Sequence, residues 1–278
     1  MRLNRRVLLL SIPFYAAFML FYVLPFFYSF YYSVIESAFS HRFVWLDNYI
    51  SVLTNKYYRL ALRNTFEFTL IGMPILVFLA LFLSIILHAL GGRHAFIRGA
   101  FILPMLLPTA SVVPIFRQFF VNQNSGVYQT LIGLHILDGQ IVRLPVYLLY
   151  IWKNAGFSIV LLIAALMMIP GDIYEAAALD GARGLRRFFR ITLPLIAPTL
   201  FFVTVFAVVQ SLRIFKEAYL LYGAYPDPSI YLVQHYMNNH FYKLNYQNLT
   251  TGAILFALIV YVVVAVGYRF ERGMDVMY

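Results

Sequence analysis

Six stretches of this chain are apolar for long enough to cross a lipid bilayer, which takes about 20 residues of helix at about 1.5 Å each. They are residues 7–34, 66–90, 100–121, 144–168, 195–221 and 251–270. Nothing else constrains the fold as much. In hydrocarbon an unpaired strand cannot satisfy its backbone, so each stretch is expected to be a helix. Internal prolines (Pro25, Pro74, Pro104, Pro108, Pro114) do not veto this, because neighbouring helices absorb kinks in a membrane bundle. The composition agrees: 62% of residues are hydrophobic and 12% charged, against about 25% charged in a soluble domain. The expected fold is an all-α polytopic membrane protein with six transmembrane helices. The first apolar run is too long for a signal peptide, whose core runs about 7–15 residues, so it reads as an uncleaved span.

The net charge of +10 would ordinarily point to nucleic acid. Here the cations sit in loops beside apolar runs, where orientation signals belong, and no nucleic-acid partner is expected. One side collects Arg2, Arg5, Arg6, Arg93, Arg98, Arg183, Arg186, Arg187, Arg190, Arg269 and Arg272, and the other only Arg42, Lys56, Arg59, Arg63, Arg143 and Lys243. The richer side is expected to be cytoplasmic, with both termini inside. The outer loops, 35–65, 122–143 and 222–250, are too short for separate domains, so residues 1–278 are expected to form a single transmembrane domain. The chain has no cysteine, which excludes disulfides and thiolate metal sites.

The largest inner loop, 169–194, is polar, cationic and broken by glycine. Asp172 and Glu175 have capping-box spacing for a helix over 173–180. Gly181 stands where a helix needs a left-handed residue to stop. A second, amphipathic helix is expected over 182–191, with Arg183, Arg186, Arg187 and Arg190 on one face, and Leu193-Pro194 would turn the chain back toward the membrane. Two readings remain open from the residues: arginines resting on lipid phosphates, or a docking element whose alanines let another surface come close.

The same residues carry a resemblance. Glu175-Ala176-Ala177, Asp180-Gly181-Ala182, Ile191, Leu193-Pro194 and Pro198 resemble the EAA loop of ABC-importer permeases. WLDNY (45–49), ALRNTFEFTL (61–70), FILPMLLP (101–108) and IWKNAGF (151–157) resemble the carbohydrate-uptake permeases, and most resemble the first-permease type of the glycerol-3-phosphate and maltose importers. The resemblance implies a type I ABC importer transmembrane domain in a bacterial or archaeal cell (inner) membrane. It implies that loop 169–194 is the coupling helix seated in a separate ATPase, with Glu175 and Asp180 in polar contact and Gly181 allowing the turn. Implied partners are a second, similar permease, two ATPase subunits, an extracytoplasmic solute-binding protein and membrane lipid. ATP and Mg²⁺ would sit on the partner ATPase: a P-loop needs Gly-Lys, and the four lysines follow Asn55, Trp152, Phe215 and Tyr242. The chain itself is expected to be no enzyme and to hold no cofactor. Two features depart from the family: Arg117 stands where a tryptophan is usual, and YGAYPDPSIYLVQHY (222–236) lacks the usual Gly-Gly-Pro.

Candidate path residues follow from the cost of a charge in the bilayer, about 2.5–3.5 kcal/mol at the centre, which makes such groups face protein or water. Lys153 is the deepest, with Tyr147, Tyr150, Asn154 and Phe157 at helical spacing beside it. Aromatic faces and amides suit a sugar's C–H surfaces and hydroxyls. Gln210, Arg213 and Glu217 form a second stripe, and Arg213 and Glu217 can pair at i, i+4. Blander roles stay open: a structural ion pair for Arg213–Glu217, carbonyl bonding for Lys153, packing for Tyr150 and Phe157, snorkelling for Lys216 and Arg117. The excess of span-associated cations hints at an anionic solute. The competing classes are an ion- or proton-coupled secondary transporter, disfavoured by the scarcity of acids in the spans, and an intramembrane enzyme. For the latter the six histidines form no HExxH pattern, and no metal site is expected.

Overall fold

The computed structural model describes residues 5–37, 39–90, 95–133 and 142–275. The described chain is helical: α1 Arg5–Phe18, α2 Leu24–Ser33, α3 Asp47–Thr54, α4 Lys56–Ala89, α5 Ala95–Leu106, α6 Thr109–Phe120, α7 Gly126–Gly133, α8 Leu144–Met167, α9 Gly171–Leu179, α10 Gly184–Arg187, α11 Leu193–Leu212, α12 Phe215–Tyr222, α13 Val233–Tyr242 and α14 Tyr246–Asp275. An isolated antiparallel bridge, Ile35 to Phe43, is the extended pairing found among the described residues. Five helical stretches are long and apolar enough to span, and a bent pair makes a sixth. The all-helical membrane fold expected from the sequence is therefore present.

Three local expectations change. Residues 100–121 are not one straight helix: α5 and α6 meet at 97°. Pro108 lacks an N–H and restricts the residue before it, so the helix ends and Pro108 itself takes an extended ψ of 130°. The helix expected over 182–191 does not end at Leu193-Pro194. It starts at Gly184 and passes through a π turn, Phe188–Thr192, into α11. The Leu193 N–H bonds Phe188 O, five residues back, so the turn is wide enough to take up the proline that follows. The first span repeats this device: Leu24 N–H bonds Met19 O just ahead of Pro25. Finally, Asp172 does not cap. The helix begins two residues earlier than expected, at Gly171 after Pro170, with no side-chain cap.

The helices group into two packed units, one of the residues up to Ala61 with Val233–Val263, the other of Leu62–Leu232 with the residues from Val264. In the first unit Asn48 gives the WLDNY run a structural purpose. Its amide donates to Ser33 O at 3.0 Å and Ile35 O at 2.8 Å, which ties α3 to the end of α2. Tyr58 and Tyr236 are buried edge to face at 5.1 Å, and the Tyr58 hydroxyl donates to Gly252 O at 2.9 Å. Of the described side chains between Ser11 and Ser33, only Ser33 is buried, so this span presents its apolar surface outward for lipid or another subunit to cover.

In the second unit α8 is central, packing against α5 and α11. It buries Leu149, Tyr150, Ile159 and Leu162 completely. A glycine sets the approach of α5: a Cβ on Gly156 would fall 1.7 Å from Phe101 O. Small residues permit such contact between spans. On the α11 side the buried Tyr150 hydroxyl donates to Ala207 O at 2.6 Å. Tyr150→Phe keeps the ring and removes that bond, so it should lower stability by about 1 kcal/mol. The check is a modestly lower thermal midpoint of the purified protein with its helical content unchanged. Asn64, from ALRNTFEFTL, donates to Pro228 O at 2.6 Å and Tyr231 O at 3.0 Å, anchoring the loop after α12 to α4. In that loop Asp227 accepts the Ser229 N–H at 2.8 Å, and the hydrogen bonds from Ser229 hold its carboxyl below the ordinary range.

Candidate functional site

A cavity of about 360 Å³ opens within the second unit. It is lined by Met105, Thr109, Tyr150, Lys153, Asn154, Gln210, Arg213, Ile214, Lys216 and Glu217, so α5, α6, α8, α11 and α12 or their junctions all contribute. Its volume falls within the range of about 300–1,000 Å³ typical of small-molecule sites. Six of the eight path residues chosen from the sequence meet here: Tyr150, Lys153, Asn154, Gln210, Arg213 and Glu217.

The charges are arranged differently from the expectation. Glu217 pairs with Lys153 at 2.8 Å, not with Arg213 four residues away. The reason is local. Arg213 N–H bonds Gln210 O and Ile214 N–H bonds Ser211 O, i→i−3 links that break the α-helical register between α11 and α12. Glu217 is buried and facing α8. Thr109 completes the group: its hydroxyl accepts from Lys153 Nζ and donates to Glu217 Oε1 at 3.3 Å. Ammonium and carboxylate thus neutralise each other where water is scarce, and the threonine occupies a remaining site on each. Asn154 donates to Tyr150 O at 2.8 Å.

Tyr147 and Phe157 lie elsewhere. Tyr147 stacks on Phe68 at 4.5 Å, beside Arg143, and Phe157 packs on Phe206 at 4.6 Å. Helical spacing placed them near Lys153 but cannot say which neighbour fills the gap. Sequence reasoning missed Thr109, Met105 and Ile214 and assigned Lys216 to snorkelling. The only prior sign of Thr109 was the proline at 108, whose bend delivers its hydroxyl to α8 and α12.

On loop 169–194 the α9 end is a Schellman closure. Ala182 N–H bonds Ala177 O at 2.8 Å and Gly181 N–H bonds Ala178 O at 3.2 Å, with Gly181 at φ +75°. A second left-handed glycine, Gly184 at φ +53°, opens α10. Ala177 is buried, Ala182 is half-buried, and Glu175, Ala176, Asp180 and Gly181 are exposed. Beside them Leu179 is 89% exposed and Leu185 75%. Charged and apolar side chains together at this exposure make a surface that another protein can cover. Ile191 lies in the π turn, and Leu193 and Pro194 in the first turn of α11. Tyr174 fixes α9 against α10 and the π turn that leads into α11: its hydroxyl meets Thr192 Oγ1 at 3.2 Å and Arg187 lies over its ring at 5.2 Å.

Comparison with known proteins adds relatives to this geometry. Residues 49–276 match the family described as binding-protein-dependent transport system inner membrane component. The sulfoquinovosyl glycerol transport system permease protein SmoG of Agrobacterium fabrum (strain C58) is 28% identical over 257 residues, covering 89% of this chain and 82% of that protein. The sn-glycerol-3-phosphate transport system permease protein UgpA of the same organism is 30% identical over 245 residues, covering 84% and 83%. Among solved structures, a bacterial ABC transporter involved in import of the acidic polysaccharide alginate shares the fold, with a TM-score of 0.76 at 21% identity over 96% of this chain and 94% of that one. The alginate transporter in complex with its pentasaccharide-bound periplasmic protein gives 0.75 at 22% identity, with the same coverage.

Proposed function

Because this chain belongs to the binding-protein-dependent transport system inner membrane components, we propose that it is the permease subunit of an ATP-driven importer for a sugar, oligosaccharide or related solute. The observation that carries the reading is the cavity of about 360 Å³, with its polar and charged walls inside an otherwise apolar helical unit. Charged side chains within membrane-spanning helices are rare, face a bundle interior or a water-filled cavity, and mark solute or ion pathways. The solute enters this cavity by alternating access and leaves on the other face. Residues 1–278 act as one permease domain beside a second, similar permease, with both termini on the cytoplasmic side of a bacterial or archaeal membrane. An extracytoplasmic binding protein delivers the solute, and two ATPase subunits, holding ATP and Mg²⁺, supply the work. The chain has no catalytic role.

Loop 169–194 is the lever in this scheme. Exposed Glu175 and Asp180 offer polar contacts, exposed Leu179 and Leu185 offer apolar ones, and the buried Ala177 and half-buried Tyr174 transmit force into α11. The competing reading, a proton-coupled secondary transporter, needs a carboxylate free to titrate in the cavity. Glu217 is the acidic side chain lining it, and Lys153 already neutralises that carboxylate.

The test is made at Gly181. A Cβ there meets nothing within 4 Å, so a substitution acts through the backbone alone. Valine at φ +75° is strained by about 1–2 kcal/mol and opens the Schellman closure. Asparagine tolerates the left-handed region. With the complex reconstituted in liposomes, Gly181→Val should keep ATP hydrolysis and lose most uptake, whereas Gly181→Asn should keep both. Equal uptake by the two variants would remove the lever from the scheme, and purification without any ATPase would remove the importer.

A further inference from the structure

We propose that the cavity selects anionic solutes, through Arg213 and Lys216. The proposal rests on the permease reading and names the chemical class of what is carried. Among the described residues four charged ones line the cavity: Lys153, Arg213, Lys216 and Glu217. Lys153 and Glu217 close on each other at 2.8 Å, and Thr109 bonds both, so this group is electrically complete. Arg213 and Lys216 form no salt bridge among the described residues. Two positive charges therefore remain at the wall of a cavity whose one carboxylate is already committed.

The neutral polar groups are also partly occupied. The Tyr150 hydroxyl donates to Ala207 O, and the Asn154 amide donates to Tyr150 O. A neutral sugar would find few free donors apart from the two cations and the Gln210 amide. A sugar bearing a carboxylate, sulfonate or phosphate would supply the missing counter-charge, and a guanidinium matches any of these oxyanions in a two-pronged geometry. Clefts of one charge sign with low-dielectric walls raise the local concentration of the opposite ion by about 10- to 1,000-fold.

The absence of cysteine from the chain makes a direct measurement possible. Met105→Cys puts the single thiol of this chain at the cavity wall. The assembled complex, in phosphatidylcholine nanodiscs, is treated separately with an anionic sulfonatoethyl methanethiosulfonate and a cationic trimethylammonioethyl methanethiosulfonate. Labelling of this chain is followed by its intact mass, and each rate is divided by that of a free thiol. The normalised preference for the anion should be about tenfold. It should fall close to unity in the triple variant that adds Arg213→Gln and Lys216→Gln. If Met105→Cys fails to assemble, Asn154→Cys reports from α8 in the same cavity. A cationic preference, or an anionic one that survives the two neutralisations, overturns the proposal. Repeating the measurement in phosphatidylglycerol nanodiscs, with each rate divided by that of a Tyr225→Cys thiol in the same discs to remove the surface potential, separates a solute from a lipid headgroup: a preference lost there assigns both cations to lipid and also overturns it. Labelling by neither reagent shows the cavity closed to solutes, so the permease path itself fails, a result distinct from loss of anion preference.

Discussion

Lys153→Met should leave little of the folded protein, and Lys153→Met combined with Glu217→Gln should recover much of it. Lys153 stands opposite a carboxylate whose side chain is 11% exposed, and the two meet at 2.8 Å. Removing only the cation leaves Glu217 charged and buried, with one threonine hydroxyl as its remaining side-chain partner among the described residues. Breaking a buried pair in this way costs about 3–5 kcal/mol, whereas replacing both charges is often close to neutral. The measurement is the yield of monodisperse protein after detergent extraction and its thermal midpoint. A single variant as stable as the parent would show that the pair is not a structural unit. Uptake then separates two roles: if Lys153 also touches the solute, the double variant assembles and still transports poorly. If the pair only holds α8 to α12, transport returns with assembly.

Gly156→Ala should be nearly as damaging, for a reason unrelated to charge. An added Cβ would lie 1.7 Å from Phe101 O and 2.4 Å from Phe101 C. Both are backbone atoms of α5, so no side chain can rotate away and the helix itself must move by more than an ångström. Overpacking of this kind costs about 1–3 kcal/mol, with the tightest contacts above that. The movement carries function with it. Residue 109 follows α5 across the bend at Pro108, and its hydroxyl bonds both Lys153 and Glu217. Gly156→Ala should therefore lower the thermal midpoint and reduce uptake together. Gly99→Ala is the matched control: it lies on the same helix α5, its Cβ meets nothing within 4 Å, and it should be neutral or slightly stabilising. Equal behaviour of the two variants would exclude the close approach of α5 to α8.

Much of the candidate site was legible because two rules act over short distances. A charge in an apolar run must face protein or water, and residues four apart on a helix share a face. These rules picked out Lys153, Asn154 and Tyr150 on one helix and Gln210, Arg213 and Glu217 near another, and all six line one cavity. The same rules then misled. Spacing of four allowed an Arg213–Glu217 pair, but i→i−3 bonds at Arg213 and Ile214 break the register there. Spacing also put Tyr147 and Phe157 beside Lys153, whereas each found an aromatic partner, Phe68 and Phe206. Thr109 showed only through the proline before it: it is an ordinary residue within an apolar run, and it matters because the chain bends by 97° just before it.

Proline shows the same limit from the other side. Pro108, Pro25 and Pro194 look alike in a sequence, each following a leucine in an apolar stretch. At Pro108 the helix breaks, while before Pro25 and Pro194 a π turn carries it through. A missing N–H can be met by ending the helix, by widening the turn or, as at Pro104 inside α5, by letting the helix run on without that bond, and the packing on either side selects among them.

By itself, then, the sequence determined that the chain crosses a membrane as helices and where its polar groups interrupt the apolar runs. Hydrocarbon allows a spanning segment no other way to satisfy its backbone, and that demand is met residue by residue within each segment. Only the tertiary structure decided which cation met Glu217, that Thr109 joined them, and that Arg213 and Lys216 were left facing the cavity. Those outcomes depend on how closely α5, α8, α11 and α12 approach, distances set by Gly156 and by the bend at Pro108.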